Sequence, residues 1–225
     1  MSYTSHIPVQ TETGVPAPRA GEAPAAAVAA AAPVAPPADP GLIGLPAFIV
    51  GSIALALVDI HFAPAAAAGA AIPIIMTATS LGMLIATIWA ARAGQMAVAA
   101  INGVFAGFWI SYAALFLGLV HGWFGIGLLG IVRTQEVFLL SWIVVVGLLT
   151  LGTLRLPVGW TALLALVETA FVITYIATVN ANVTLTKVAG WVVFAFAAIG
   201  AYAFMSSMST ATGGRPLPMG PPVLR

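Results

Sequence analysis

Asn102, Phe105, Trp109 and Tyr112 follow one another at spacings of three, four and three residues, so on an α-helix they form one stripe. Polar and aromatic side chains aligned inside an apolar run do not face lipid along their whole length, because Asn needs a partner or water. Such a stripe serves either as a substrate path or as interior packing. Two other runs repeat the spacing: Phe48, Ser52, Leu55 and Asp59, and Thr161, Leu164, Glu168, Phe171 and Tyr175. Glu168 is the residue that costs most, since an acid at mid-span is worth about 2.5–3.5 kcal/mol against insertion, and each Leu, Ile, Phe or Val returns only about 0.3–0.6. Leu163, Leu164, Leu166, Val167, Phe171, Val172 and Ile173 offset that cost. Glu168 is therefore expected to face the bundle or a wet cavity, where it either exchanges protons or hydrogen-bonds a neighbouring helix, for instance through Tyr112 or Asn102. Asp59 and His61 lie at the far end of their run and read as a solvated mouth. The chain has no Cys. It also lacks a His, Asp and Glu cluster at metal-ligand spacing and a Ser in a nucleophile motif. No catalytic residue, metal or cofactor is expected, and enzymatic chemistry has no visible equipment.

The elements that carry these residues are set by composition. With 61 % hydrophobic and 6 % charged residues and a mean hydropathy of +1.10, 225 residues hold too little polar surface to cover a soluble globule. The expected fold class is an all-α integral membrane protein, a six-helix transmembrane bundle with a disordered N-terminal tail. Six continuous apolar stretches approach the roughly 20 residues that cross a hydrocarbon core of about 30 Å. They are expected near Ile43–Phe62, Ala71–Ala91, Met96–Leu119, Glu136–Leu154, Gly159–Val179 and Val188–Ser207. A barrel would instead alternate over about ten residues. Gly51, Gly103, Gly107 and Gly200, with many Ala, imply close helix approach. Residues 1–38 turn into an Ala- and Pro-rich stretch with nothing large to bury, expected to be a disordered cytoplasmic tail. No cleaved signal peptide is expected, because the first strongly apolar run begins only after Pro40. A membrane domain over 39–208 and a short cytoplasmic tail over 209–225 complete the division. Arg19, Arg92, Arg155, Arg215 and Arg225 fall on one side of the membrane and only Arg133 and Lys187 on the other. Both termini are therefore expected in the cytoplasm. Trp123, Trp160 and Trp191 lie near span ends and read as interfacial belt residues. A formal charge of +1 gives no general attraction to nucleic acid.

The first span opens with Asp39, Pro40, Gly41, Leu42, Ile43, Gly44 and Leu45, followed by Phe48. This resembles the NPAPLGL opening and pore-facing Phe of the acetate uptake transporter family, which includes succinate–acetate permeases. Val104 to Trp109, VFAGFW, is similar to that family's SYGSFW, with Phe105 in place of its Tyr. Gly152 to Arg155, GTLR, resembles a GTLK, and Gly190, Trp191 and Tyr202 to Met205 resemble GW with a downstream YLAM. Gly214 to Gly220, GRPLPMG, resembles GRTVLPIG. The order of these segments covers nearly everything after residue 38.

The resemblance implies a six-helix, plasma (inner) membrane homo-hexamer in which each protomer has its own path for acetate, succinate and related short carboxylates. It implies a constriction lined by Phe48, Phe105 and Val167, with Gly200 as a size-selecting position. It also implies a mouth formed by Asp39, Pro40, Leu42 and Gly44. Asn102, Tyr112 and Tyr175 join Glu168 as the polar or proton-linked set. The sequence departs from the pattern at Asp39, where the family has Asn, at Leu42 in place of Pro, and at Glu168, which occupies a neutral Thr position. Two other functions remain open: a pore for ammonium or a small neutral amide, favoured by Asp39, Asp59 and Glu168, and a membrane scaffold that kept the bundle without transport.

Overall fold

The computed structural model describes residues 38–225, so the tail expected over 1–38 lies, apart from Ala38, outside the described residues. Among the described residues six helices are long and apolar enough to cross a membrane: α1 (Gly41–Asp59), α2 (Ala66–Arg92), α3 (Met96–His121), α4 (Leu128–Gly152), α5 (Val158–Val179) and α6 (Val183–Ala211). The chain is an all-α, multi-pass membrane protein. Three helices begin well before their apolar runs suggest, α2 at Ala66 rather than Ala71, α4 at Leu128 rather than Glu136 and α6 at Val183 rather than Val188. In α4 this is possible because Arg133 donates to Glu136 Oε2 at 2.5 Å, with Glu136 buried and Arg133 largely exposed. In α6 the side chain of Asn182 accepts from Leu185 N–H at 3.1 Å and caps the helix.

The helices form a ring in which neighbours run α3, α2, α1, α6, α5, α4, and α4 touches α3 again. Small residues set how tightly the ring closes. Gly82 packs on Ala47, where an added Cβ would stand 2.6 Å from that residue's Cβ. Gly44 similarly sits against Asn102 and Ala86, and Gly51 against Thr79. At the other end of α1, Gly190 of α6 would place a Cβ 2.9 Å from Asp59 Cβ and 3.1 Å from the Ala56 carbonyl. With lipid tails as apolar as Leu, such backbone proximity is what holds helices together in a bilayer. Within α2, residues Ile75–Thr79 widen into a π-turn beside Gly51. Such turns bring irregular backbone hydrogen bonding into a helix at the cost of regular pairing.

The chain end is not a loose tail. Residues after Ala211 return across the α4–α5 loop and the end of α6 as a strap. Gly159 N–H donates to the Met219 carbonyl at 2.9 Å, Val158 N–H to Pro221 at 3.1 Å and Leu224 N–H to Leu154 at 2.9 Å. Tyr202 Oη donates to the Pro218 carbonyl at 3.0 Å, and Ser206 Oγ accepts from Leu217 N–H at 2.9 Å. The strap thereby satisfies two of the free N–H groups that the start of α5 would otherwise leave unpaired.

Candidate functional site

Three cavities follow one another, each sharing lining residues with the next, the third lying between α3, α4 and α5. The first, about 160 Å³, is lined by Asp39, Gly44, Phe48, Asn102, Phe105 and Leu164 among others. The second, about 70 Å³, is lined by Phe48, Phe105, Val167 and Phe196, and further along by Asp59 and Tyr112. The third, about 350 Å³, shares Tyr112, Phe138, Leu139 and Thr174 with the second and continues to Val120, Ile131 and Thr178. Each is roomy enough for several waters, since one water needs only roughly 10–15 Å³ of such space. Phe48 and Phe105 line both the first and second cavities and so form the partition between them.

That partition is a cluster of rings. The Phe48 and Phe105 centroids are 5.3 Å apart at 68°, edge to face, and Phe196 of α6 lies 5.5 Å from Phe48 at 35°. Edge-to-face pairs at this range attract beyond simple burial, by about 0.5–1.5 kcal/mol. Phe48, Phe105 and Val167 are 4 %, 2 % and 3 % exposed, so the partition is buried and apolar. Gly200 faces the back of Phe48: an added Cβ would stand 3.6 Å from its Cδ1 and 3.4 Å from Ile49 Cγ1. Sequence-derived Phe48, Phe105, Val167 and Gly200 are thus brought together. Phe196 was missed, although it sits four residues before Gly200 and therefore on the same face.

The stripe of α3 faces the cavities throughout. Asn102 and Phe105 line the first, Phe105, Trp109 and Tyr112 the second. Asn102 is buried and donates through Nδ2 to the Val98 carbonyl at 2.9 Å, while its Oδ1 lies against Gly44. At the first cavity's edge, Asp39 Oδ1 accepts from Gly41 N–H at 2.8 Å, which puts a carboxylate at the start of α1 where the helix dipole favours it. Pro40 is buried beside it, whereas Leu42 is half-buried and lines none of the three cavities. Trp160, expected only at the membrane interface, also lines the first cavity.

Two expectations need correction. Asp59 does not stand in a solvated mouth. It lines the second cavity, because Gly190 lets α6 close over the end of α1. On α5 the cavity face is Leu163, Leu164, Val167, Ala170, Phe171 and Thr174, a rotation away from the stripe proposed through Glu168 and Tyr175. Tyr175 packs half-buried against the core. Glu168 turns to α4, where its Oε1 would lie 3.6 Å from a Cβ on Gly147, and it bonds neither Tyr112 nor Asn102. Its Oε2 is buried without a hydrogen-bond partner among the described residues. The cavity linings include two acids, Asp39 and Asp59, and among the described residues no Lys, Arg or His.

A family comparison matches residues 21–214 to the GPR1/FUN34/yaaH family. The chain belongs to that family. Membership agrees with the resemblance drawn from the first, third and last spans. No curated protein matches the chain in sequence. Among solved structures, this member of the GPR1/FUN34/yaaH family is similar to the structure of the bacterial acetate channel SatP, with a TM-score of 0.70 and 20 % identity. The match covers 81 % of this chain and 99 % of that one. At that identity the likeness concerns the fold: the same arrangement of six helices carries both sequences.

Proposed function

We propose that the chain is a channel or transporter for acetate and related short carboxylates, with the three cavities as its path. The observation that carries this reading is the partition: Phe48 and Phe105 stand between two cavities, with Val167 lining the second beside them. A constriction made of apolar rings suits a small acid with a short alkyl end. Family membership and a fold shared with an acetate channel support the substrate class. On this reading Asp39 and Gly44 shape the cytoplasmic mouth, with Pro40 and Leu42 packed behind them, and Gly200 sets how far Phe48 can yield. Residues 39–208 form the transport domain. The protein works as a homo-hexamer in the plasma (inner) membrane with both termini cytoplasmic, and succinate is a candidate second substrate. Proton coupling through Glu168 loses its simplest route, because that side chain lines none of the cavities.

A second reading, a pore for ammonium or a small neutral amide, is favoured by one observation: among the described residues, acids and no bases line the path. Uptake of radiolabelled acetate by proteoliposomes, corrected with empty liposomes, separates the two. Protein-dependent uptake that propionate or succinate reduces supports the carboxylate reading. Methylammonium flux without acetate flux supports the other, and absence of both leaves a membrane scaffold.

A further inference from the structure

The wall of the second cavity holds a polar group that no hydrogen bond among the described residues satisfies. Trp109 is 2 % exposed and lines that cavity, yet its indole Nε1–H has no hydrogen-bond partner among the described residues. A buried donor left without an acceptor is costly, so a native structure retains one mainly where a ligand or water completes it. Tyr112, one turn further along α3, Thr174 of α5 and Asp59 of α1 line the same space.

Chemistry narrows what could complete the set. An indole N–H only donates. An ammonium ion also only donates, so it can use the indole face but leaves the Trp109 Nε1–H unpaired. An oxygen acid is different: its carboxyl oxygens accept, and its alkyl end suits the Phe48, Phe105 and Val167 side of the cavity. Asp59, when ionised, would repel a carboxylate, and among the described residues no basic side chain lines the cavity to counter it. Donors from Trp109, Tyr112 and Thr174 are then the groups available to retain the ligand.

We infer that Trp109 Nε1–H, with the hydroxyls of Tyr112 and Thr174, forms a carboxyl-binding station on the Asp59 side of the constriction. The inference rests on the carboxylate reading above and adds to it the residues that recognise the substrate beside the rings, on their Asp59 side. Trp109 is a specificity-determining residue on this account, whereas Phe48 and Phe105 determine size.

The test uses the full chain reconstituted as wild type, Trp109→Phe and Thr174→Val. The second variant nearly preserves shape and removes only a hydroxyl. Two quantities are measured: the acetate concentration that half-saturates radiolabelled uptake, and the rise in thermal midpoint caused by saturating acetate. Loss of a hydrogen bond to a charged acceptor weakens binding roughly ten- to a hundredfold. Trp109→Phe should raise half-saturation by that factor and abolish the acetate-induced rise, with maximal flux changed less. Thr174→Val should shift both in the same direction by a smaller factor, and decides the matter alone if Trp109→Phe does not fold. If both variants keep wild-type half-saturation and the full acetate-induced rise, the station is overturned while the carboxylate reading stands. If the wild type itself neither takes up acetate nor is stabilised by it, both fall.

Discussion

Replacing Gly200 by Ala tests the constriction with one methyl group. The added Cβ would stand 3.4 Å from Ile49 Cγ1 and 3.6 and 3.8 Å from Phe48 Cδ1 and Cε1, which is ordinary contact rather than a clash. Ala in place of Gly within a helix is worth roughly 0.5–1 kcal/mol. Three new carbon contacts add about 0.1–0.2 kcal/mol each. The variant should therefore be more stable by about 1 kcal/mol, or roughly 2–4 °C in thermal midpoint for a chain of this size. Transport should move the other way for larger substrates, since the methyl fills the space into which the Phe48 ring can swing. A methylene-sized misfit in an apolar pocket costs about 1–3 kcal/mol, so butyrate uptake relative to acetate should fall roughly tenfold or more. The assay is competitive uptake in proteoliposomes, beside a thermal scan of the same preparation. A lower midpoint would mean that Phe48 packs on Gly200 more tightly than these distances indicate. An unchanged butyrate-to-acetate ratio at a raised midpoint would refute the role of Gly200 in size selection.

Other positions give sharper contrasts. Phe48→Ala joins the first two cavities and removes the ring pair with Phe105, so acids with longer alkyl chains should enter while selectivity for acetate declines, as competition assays will read. Gly82→Ala should cost about 1–3 kcal/mol, because its Cβ would fall 2.6 Å from Ala47 Cβ with no flexible atom to yield. A lowered thermal midpoint with unchanged substrate preference is the expected result. Ending the chain before Pro216 strips the partners of Val158 and Gly159 N–H at the start of α5. Faster proteolysis of the 154–160 loop should follow, and a loop as resistant as in the full chain would contradict the strap's role.

How much of this was legible depended on contrast against an apolar background. Lipid leaves helices or closed barrels as the spanning structures, so continuous apolar runs were enough to place six spans. On α3, Asn102, Trp109 and Tyr112 stand out from Ala, Val and Gly, and their spacing marked the face that lines the cavities. On α5 the polar residues stand on more than one face, Thr161, Glu168 and Tyr175 on one and Thr174 and Thr178 on another, so their spacing did not single out the cavity side. Glu168 drew attention by its cost, whereas the cavity face is built by Leu164, Val167, Phe171 and Thr174. Asp59 was misplaced for a different reason. Its position at the end of a span suggested water, and only the approach of α6 at Gly190 encloses it. The terminal strap had no signal of periodicity, because it is held by backbone hydrogen bonds to an adjacent loop rather than by an apolar face.

The central claim is that substrate crosses this chain through the partition between the first and second cavities. The sequence contains no Cys, so Val167→Cys introduces a single thiol at the constriction. Acetate uptake should be lost after that thiol is modified with methyl methanethiosulfonate and return when a reductant removes the adduct. Uptake that persists at its original rate after complete modification would contradict the account.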